Sequence, residues 1–170
     1  MDNFTVGGGC FWCTEAAFKN LEGVEEAVPG YAGGHTENPT YREVCSGKTG
    51  HAEVVKITYD EEVISTRELL EFFFRIHDPT TEDREGPDVG SQYRSIILYR
   101  DEEQKEKVEE FIEEQMDRYN GEVVTEVEQL EHFYRAEDKH QDYFEKNPND
   151  AYCTMHAKPK VEKARNYSAE

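Results

Sequence analysis

The stretch Asn3-Phe-Thr-Val-Gly7-Gly-Gly-Cys10-Phe-Trp-Cys13-Thr-Glu-Ala-Ala-Phe18-Lys-Asn-Leu21 decides the architecture, because a strand pattern passes through three glycines into a helical one. Asn3 to Val6 reads as a short strand. Phe11 to Leu21 reads as a helix with Trp12, Ala16, Phe18 and Leu21 on its buried stripe. Cys10 therefore falls at a strand-to-helix turn. A thiol there faces unpaired backbone N–H groups and the positive end of the helix dipole, which favour the thiolate. Glycines before it leave room for a substrate to approach the backbone. The blander alternative is an inert buried cysteine in a glycine turn.

Outward from this unit, Val24 to Tyr31 predicts a second strand, and Gly33 to Gly50 a long loop. Ala52 to Asp60 alternates, with Glu53 sharing the parity of Val55, Ile57 and Tyr59, so one carboxylate points inward with the apolar face. Ser65 with Glu68 forms a capping box for a helix bearing Leu69, Leu70, Phe72, Phe73 and Ile76, ended by Pro79. Thr80 to Tyr93 reads as a loop, Ile96 to Tyr99 as a strand and Asp101 to Tyr119 as an acidic helix. Glu122 to Val127 reads as the last strand and Ala136 to Glu145 as a short helix. The order βαββαβαβ predicts an α+β two-layer sandwich, a mixed sheet related to the ferredoxin-like type with helices on one face. One catalytic domain spans 1–170, and 147–170 forms an irregular carboxyl-terminal arm carrying Cys153.

Composition narrows the function classes. The 38 acidic and 19 basic residues give a net charge of -19, which disfavours nucleic acid and anionic membranes as partners. Solubility and adaptation to high salt explain such a surface equally well. No run approaches the roughly 20 apolar residues of a membrane span, and the amino terminus has no leader pattern, so the expectation is a soluble, cytoplasmic monomer. Although only 36% of residues are apolar, 10 Tyr, 9 Phe and one Trp supply large rings for a core.

Four cysteines are too few for a disulfide scaffold and suit redox chemistry. Cys13, about one helical turn from Cys10, is placed to form a reversible disulfide with it. Zinc is the competing use of Cys-x-x-Cys, but a structural site wants four ligands while Cys45 and Cys153 are solitary, so no metal is expected. Cys45 reads as a buried small hydrophobe. Phe11 and Trp12 can line an apolar pocket, and Glu53, if buried, would stay protonated and act as a general acid.

Gly-Cys10-Phe-Trp-Cys13, Pro-Gly-Tyr-Ala-Gly-Gly, Asn38-Pro-Thr-Tyr41, Thr-Gly-His-Ala-Glu53-Val-Val, Gly-Pro-Asp88-Val-Gly-Ser-Gln-Tyr93-Arg-Ser, His140-Gln-Asp-Tyr143 and Tyr152-Cys153 follow one another along the chain. In that order they resemble the A-type peptide methionine sulfoxide reductases over nearly the whole length. The resemblance implies reduction of the S epimer of methionine sulfoxide, free or in oxidised proteins. It casts Cys10 as nucleophile, Glu53 as the acid toward the sulfoxide oxygen, and Tyr41 and Tyr93 as hydroxyl donors to that oxygen. Phe11 and Trp12 then cage the methyl group, while Asp88, His140, Tyr143 and Tyr152 stand at the pocket margin. Attack by Cys10 would release methionine and leave a sulfenic acid, which a second thiol converts to a disulfide. Cys153 in a mobile arm is the favoured resolving thiol, with Cys13 as the alternative and both in sequence as a third possibility. Thioredoxin, or dithiothreitol in vitro, then resets the enzyme without any bound cofactor. The arm departs from the family pattern, with Thr154, Met155, His156, Ala157 and Lys158 where relatives carry apolar residues before Pro-Lys.

Two other function classes fit parts of the sequence. A thioredoxin-like dithiol oxidoreductase would use Cys10 and Cys13 but leave Glu53 and the tyrosines idle. A non-catalytic methionine-binding module would use the aromatic pocket and need no activated thiol.

Overall fold

A computed structural model describes residues 1–167. Strand β1 (Asp2–Gly7) leads into helix α1 (Phe11–Lys19), and β2 (Val24–Ala32) returns. Helix α2 (Tyr41–Cys45) interrupts the long loop before β3 (Ala52–Tyr59), and α3 (Thr66–Ile76) follows. A hairpin of β4 (Arg84–Glu85) and β5 (Asp88–Val89) and a 3-10 turn at Ser91–Tyr93 precede β6 (Ile96–Tyr99). Then come α4 (Glu102–Arg118), β7 (Glu126–Gln129), β8 (Phe133–Arg135), a 3-10 turn at Asp138–His140, α5 (Tyr143–Lys146) and α6 (Ala151–Arg165).

The main sheet runs β7-β6-β1-β3-β2-β8, parallel between β6 and β7 and antiparallel elsewhere, which makes it the mixed sheet of an α+β fold. Alternation in β3 sorts its side chains as expected: Val55, Ile57 and Tyr59 enter the large core under the helices, while Ala52 and Val54 join a small cluster with Ile96 and Leu98. Helix α1 is buried on nearly every side, including Phe11, Cys13, Ala16, Ala17 and Phe18, because the sheet lies on one flank and α6 on the other.

Several expectations need correction. The segment 147–170 is not an irregular arm: Asp150 caps a helix through Ala151–Arg165, and its placement of Cys153, Ala157, Val161 and Ala164 against α1 outweighs the lost hydrogen bond at Pro159. Residues 168–170 of that arm lie outside the described residues. The last strand begins at Glu126 rather than Glu122, and β8 was not anticipated. No helix spans Ala136 to Glu145, since Asp142 takes a left-handed conformation (φ 55) that divides the segment. Ser65 accepts from the Glu68 N–H at 3.1 Å as predicted, but the reciprocal capping box belongs to Thr40 and Glu43, inside the supposed loop. Among the described residues no helix is long and apolar enough to cross a membrane.

Candidate active site

The turn between β1 and α1 is built by close approach. A Cβ on Gly7 would lie 2.5 Å from the Glu53 carbonyl oxygen, so glycine lets β1 and β3 run tightly together there. Gly9 has φ +86, and its N–H donates to the Tyr93 carbonyl at 3.1 Å, tying the Tyr93 turn to the Cys10 turn. Cys10 is the N-cap of α1 and is 7% exposed.

Glu53 projects from β3 into this turn and is 1% exposed. Its Oε1 accepts from the Phe11 N–H at 3.1 Å, while Oε2 is buried without a partner. Burial pushes the Glu53 carboxyl up to about 8, against the Phe11 N–H bond that pulls it down; Asp88 and Cys13 push it further up. It is therefore mostly protonated at neutral pH, with the proton available on the side that faces no protein acceptor.

The thiols differ from expectation. Burial, the neighbouring Cys13 thiol and the charge of Glu53 raise Cys10 well above an ordinary thiol, and the Trp12 N–H offsets only part of this. The helix terminus thus does not yield a resting thiolate. Cys13 is lowered, chiefly by the neighbouring Cys10 thiol, against the effect of its own burial. Cys153 is fully buried and pushed up to about 12 by burial and by Asp150. Cys45, expected to be buried, is exposed just beyond the Tyr41 turn. All four cysteines are free.

Most of the aromatic residues foreseen around the thiol do converge. The Phe11 ring lies 5.4 Å from His140, 5.6 Å from Tyr31 and 6.2 Å from Tyr41. Trp12 stacks on Tyr143 at 3.8 Å and meets Tyr152 edge-on. Trp12 Nε1–H donates to His140 Nδ1 at 3.0 Å, which fixes the proton of the neutral ring on Nε2. Burial lowers His140, consistent with that neutral form. Burial likewise raises Tyr41 and Tyr93, keeping their hydroxyls as donors, with Glu53 the next cause in each. Tyr152 donates to Asp88, and Tyr143 donates to Asp150 Oδ2 at 3.0 Å. These last four side chains are thus held by one another as well as by the pocket.

Sequence reasoning missed Glu137, whose Oε1 accepts from the Tyr31 hydroxyl at 2.8 Å and whose Oε2 accepts from the Tyr41 N–H at 3.0 Å. It holds α2 against β2, and nothing in an acidic stretch of the chain marks it out. His51, which the sequence marked only as part of the Glu53 motif, accepts from the Gly34 N–H with Nδ1 and meets the Thr36 carbonyl with Nε2, pinning the long loop. A groove of about 840 Å³ between α3, α4 and α6 contains none of the site residues.

A family model for peptide methionine sulfoxide reductase matches residues 2–170. The chain belongs to that family. It is 62% identical over 168 residues to the peptide methionine sulfoxide reductase MsrA of Natronomonas pharaonis, covering 98% of this chain and 94% of the relative. Mxr1 of Saccharomyces cerevisiae in reduced form superposes with a TM-score of 0.85 at 37% identity, over 91% of this chain and 90% of that one. The same yeast protein in complex with Trx2 gives 0.60 at 27% identity, over 84% of each chain. The chain is an enzyme of this reductase class, which sets aside both the thioredoxin-like and the binding-module alternatives.

Proposed function

We propose that Cys10 reduces the S epimer of methionine sulfoxide, free or protein-bound, by attack on the sulfoxide sulfur. The observation that carries this reading is the buried, unpartnered Oε2 of Glu53 beside the Cys10 turn, on a carboxyl that burial pushes up to about 8. As the Cys10 sulfur forms its bond, Glu53 protonates the oxygen, and Tyr41 and Tyr93 donate to it. Methionine leaves with its sulfur reduced, and the oxygen remains on Cys10 as a sulfenic acid. Phe11 and Trp12 line the site for the methyl group, with His140 behind them.

Cys13 acts first as resolving thiol in this scheme, because it lies within the first turn of the helix that Cys10 caps, while Cys153 is held in a separate helix, α6. Cys153 then exchanges into the disulfide once α6 yields. Thioredoxin reduces the final disulfide, a reading supported by the complex of a related enzyme with Trx2. A monomer in the cytoplasm fits the same reading.

Methionine release from each sulfoxide epimer, with dithiothreitol as reductant, tests the first step. Turnover of the S epimer alone, abolished in Cys10→Ser, is expected; equal turnover of both epimers would overturn it. For recycling, Cys153→Ser should keep turnover with dithiothreitol and lose it with thioredoxin. Unchanged thioredoxin-supported turnover would leave Cys13 as the sole resolving thiol.

A further inference from the structure

Lys160 and Glu85 form a largely buried ion pair that no step above uses. Lys160 Nζ lies 3.3 Å from Glu85 Oε2, and the side chains are 16% and 14% exposed. Burying two charges costs several kcal/mol per ion before their attraction is counted, so a pair whose only task was to fasten α6 would do little better than an apolar contact. Its position suggests another task. Glu85 presses on the nucleophile's turn, since a Cβ on Gly9 would lie 2.6 Å from Glu85 Cγ, and its Oε1 accepts from the Asp78 N–H at 2.7 Å. Lys160 leaves α6 next to Val161, on the part of the helix that packs on α1. The ammonium is thus joined through Glu85 to the Gly9 turn that opens α1, the helix whose first turn carries Cys13.

We propose that Lys160 is a positioning residue that poises Cys13 electrostatically to capture the Cys10 sulfenic acid, and that Glu85 is the counter-charge limiting its effect. The proposal rests on Cys13 being the first resolving thiol. In the step concerned, the Cys13 sulfur bonds to the Cys10 sulfur, the sulfenic S–O bond breaks, and the proton given up by Cys13 completes the departing water. A cation near Cys13 increases the share of thiolate, and the accompanying loss of nucleophilicity cancels only about half of that gain.

The other groups acting on Cys13 are Cys10 on its own helix, Glu53 from β3, Asp88 from β5, and Tyr152 and Cys153 from α6. Lys160 lowers Cys13, after the larger effects of the Cys10 thiol and of burial. His77, which also faces the ion pair, is lowered to about 4 by burial and is neutral at the pH of any practical assay.

The test is a single turnover without reductant, in which loss of the second thiol is timed relative to methionine release across pH. Lys160→Met should slow the second step about three-fold at neutral pH and move its profile to higher pH, with Lys160→Arg restoring both. Glu85→Gln should accelerate that step and move the profile to lower pH. Both Lys160→Met and Glu85→Gln break the pair, so a merely structural fastening predicts the same direction for the two, and that outcome overturns the proposal. NMR titration of isotopically labelled Cys13 in the same variants must show opposite displacements, and coincident ones refute it. Should Cys13→Ser form a disulfide at the wild-type rate, the recycling order fails instead, while the titration still judges Lys160.

Discussion

Cys10 and Cys153 are both buried thiols at the amino ends of helices, yet they are held there in opposite ways. Cys10 caps α1 with no side-chain cap of its own, on a turn fixed by backbone contacts to β3 and to the Tyr93 turn. Cys153 sits inside the first turn of α6, where Asp150 takes its N–H at 3.1 Å and adds a negative charge beside the sulfur. Around α6 the attachments are side-chain contacts: Tyr152 to Asp88, Lys160 to Glu85, Tyr143 to Asp150. One thiol sits on a turn tied to the sheet by backbone contacts, whereas the other rides on a helix held by side-chain packing and side-chain polar contacts. The proposed recycling scheme needs both, since in it Cys10 must keep its geometry and Cys153 must reach a partner.

The sheet-built side breaks most severely at Glu53. Glu53→Gln should slow the chemical step about 10²- to 10⁴-fold in single-turnover methionine release. Its pH profile carries the sharper information. Cys10 lies above Glu53, so the reactive combination of protonated Glu53 and ionised Cys10 grows with pH up to about 8 and then levels, as each further thiolate is matched by a lost Glu53 proton. In Glu53→Gln the break near 8 should vanish and the rate keep rising until Cys10 ionises. Stability moves the other way. Between the ordinary carboxyl value of 4.5 and about 8 the unfolded chain releases a proton that the folded one retains, so wild-type stability falls as pH rises, and Glu53→Gln should be spared that loss. A break that survives in the variant would assign the ionisation to another group.

Gly7→Ala attacks the same side through the backbone. The new Cβ would meet the Glu53 carbonyl at 2.5 Å and Val54 Cγ1 at 3.0 Å, and neither belongs to a long flexible side chain. Separation of β1 from β3 should cost about 1–3 kcal/mol in denaturant unfolding and displace Glu53 from the thiol. Wild-type stability would mean that the strands have slack the packing does not suggest.

The same contrast explains what could be read from the chain. The turn at Cys10 and the inward Glu53 were legible because glycine geometry and strand alternation act within a few residues. The carboxyl-terminal helix was not, because Pro159 argues locally against it and its buried stripe is made of small residues. Yet Cys153, Ala157, Val161 and Ala164 recur at helical spacing, and small side chains suit a helix that packs closely on α1, so a signal was present. Glu137, Lys160 and Glu85 gave none. Their roles arise from partners far along the chain, among many charges that only meet solvent.

The mildest intervention separates the two properties that Asp150 gives Cys153. Asp150→Ala removes the α6 cap and should cost about 1 kcal/mol, raising protease sensitivity of the segment 151–165 and alkylation of Cys153 together. Asp150→Asn keeps an oxygen for the Cys153 N–H and removes the charge that helps raise the thiol. It should leave proteolysis near the wild-type rate while moving the pH dependence of Cys153 alkylation downward. If charge alone restrains Cys153, the two variants will react alike with the alkylating agent. If the helix must open first, only Asp150→Ala will react much faster than the wild type, which makes release of α6, rather than ionisation, the step that admits the last thiol.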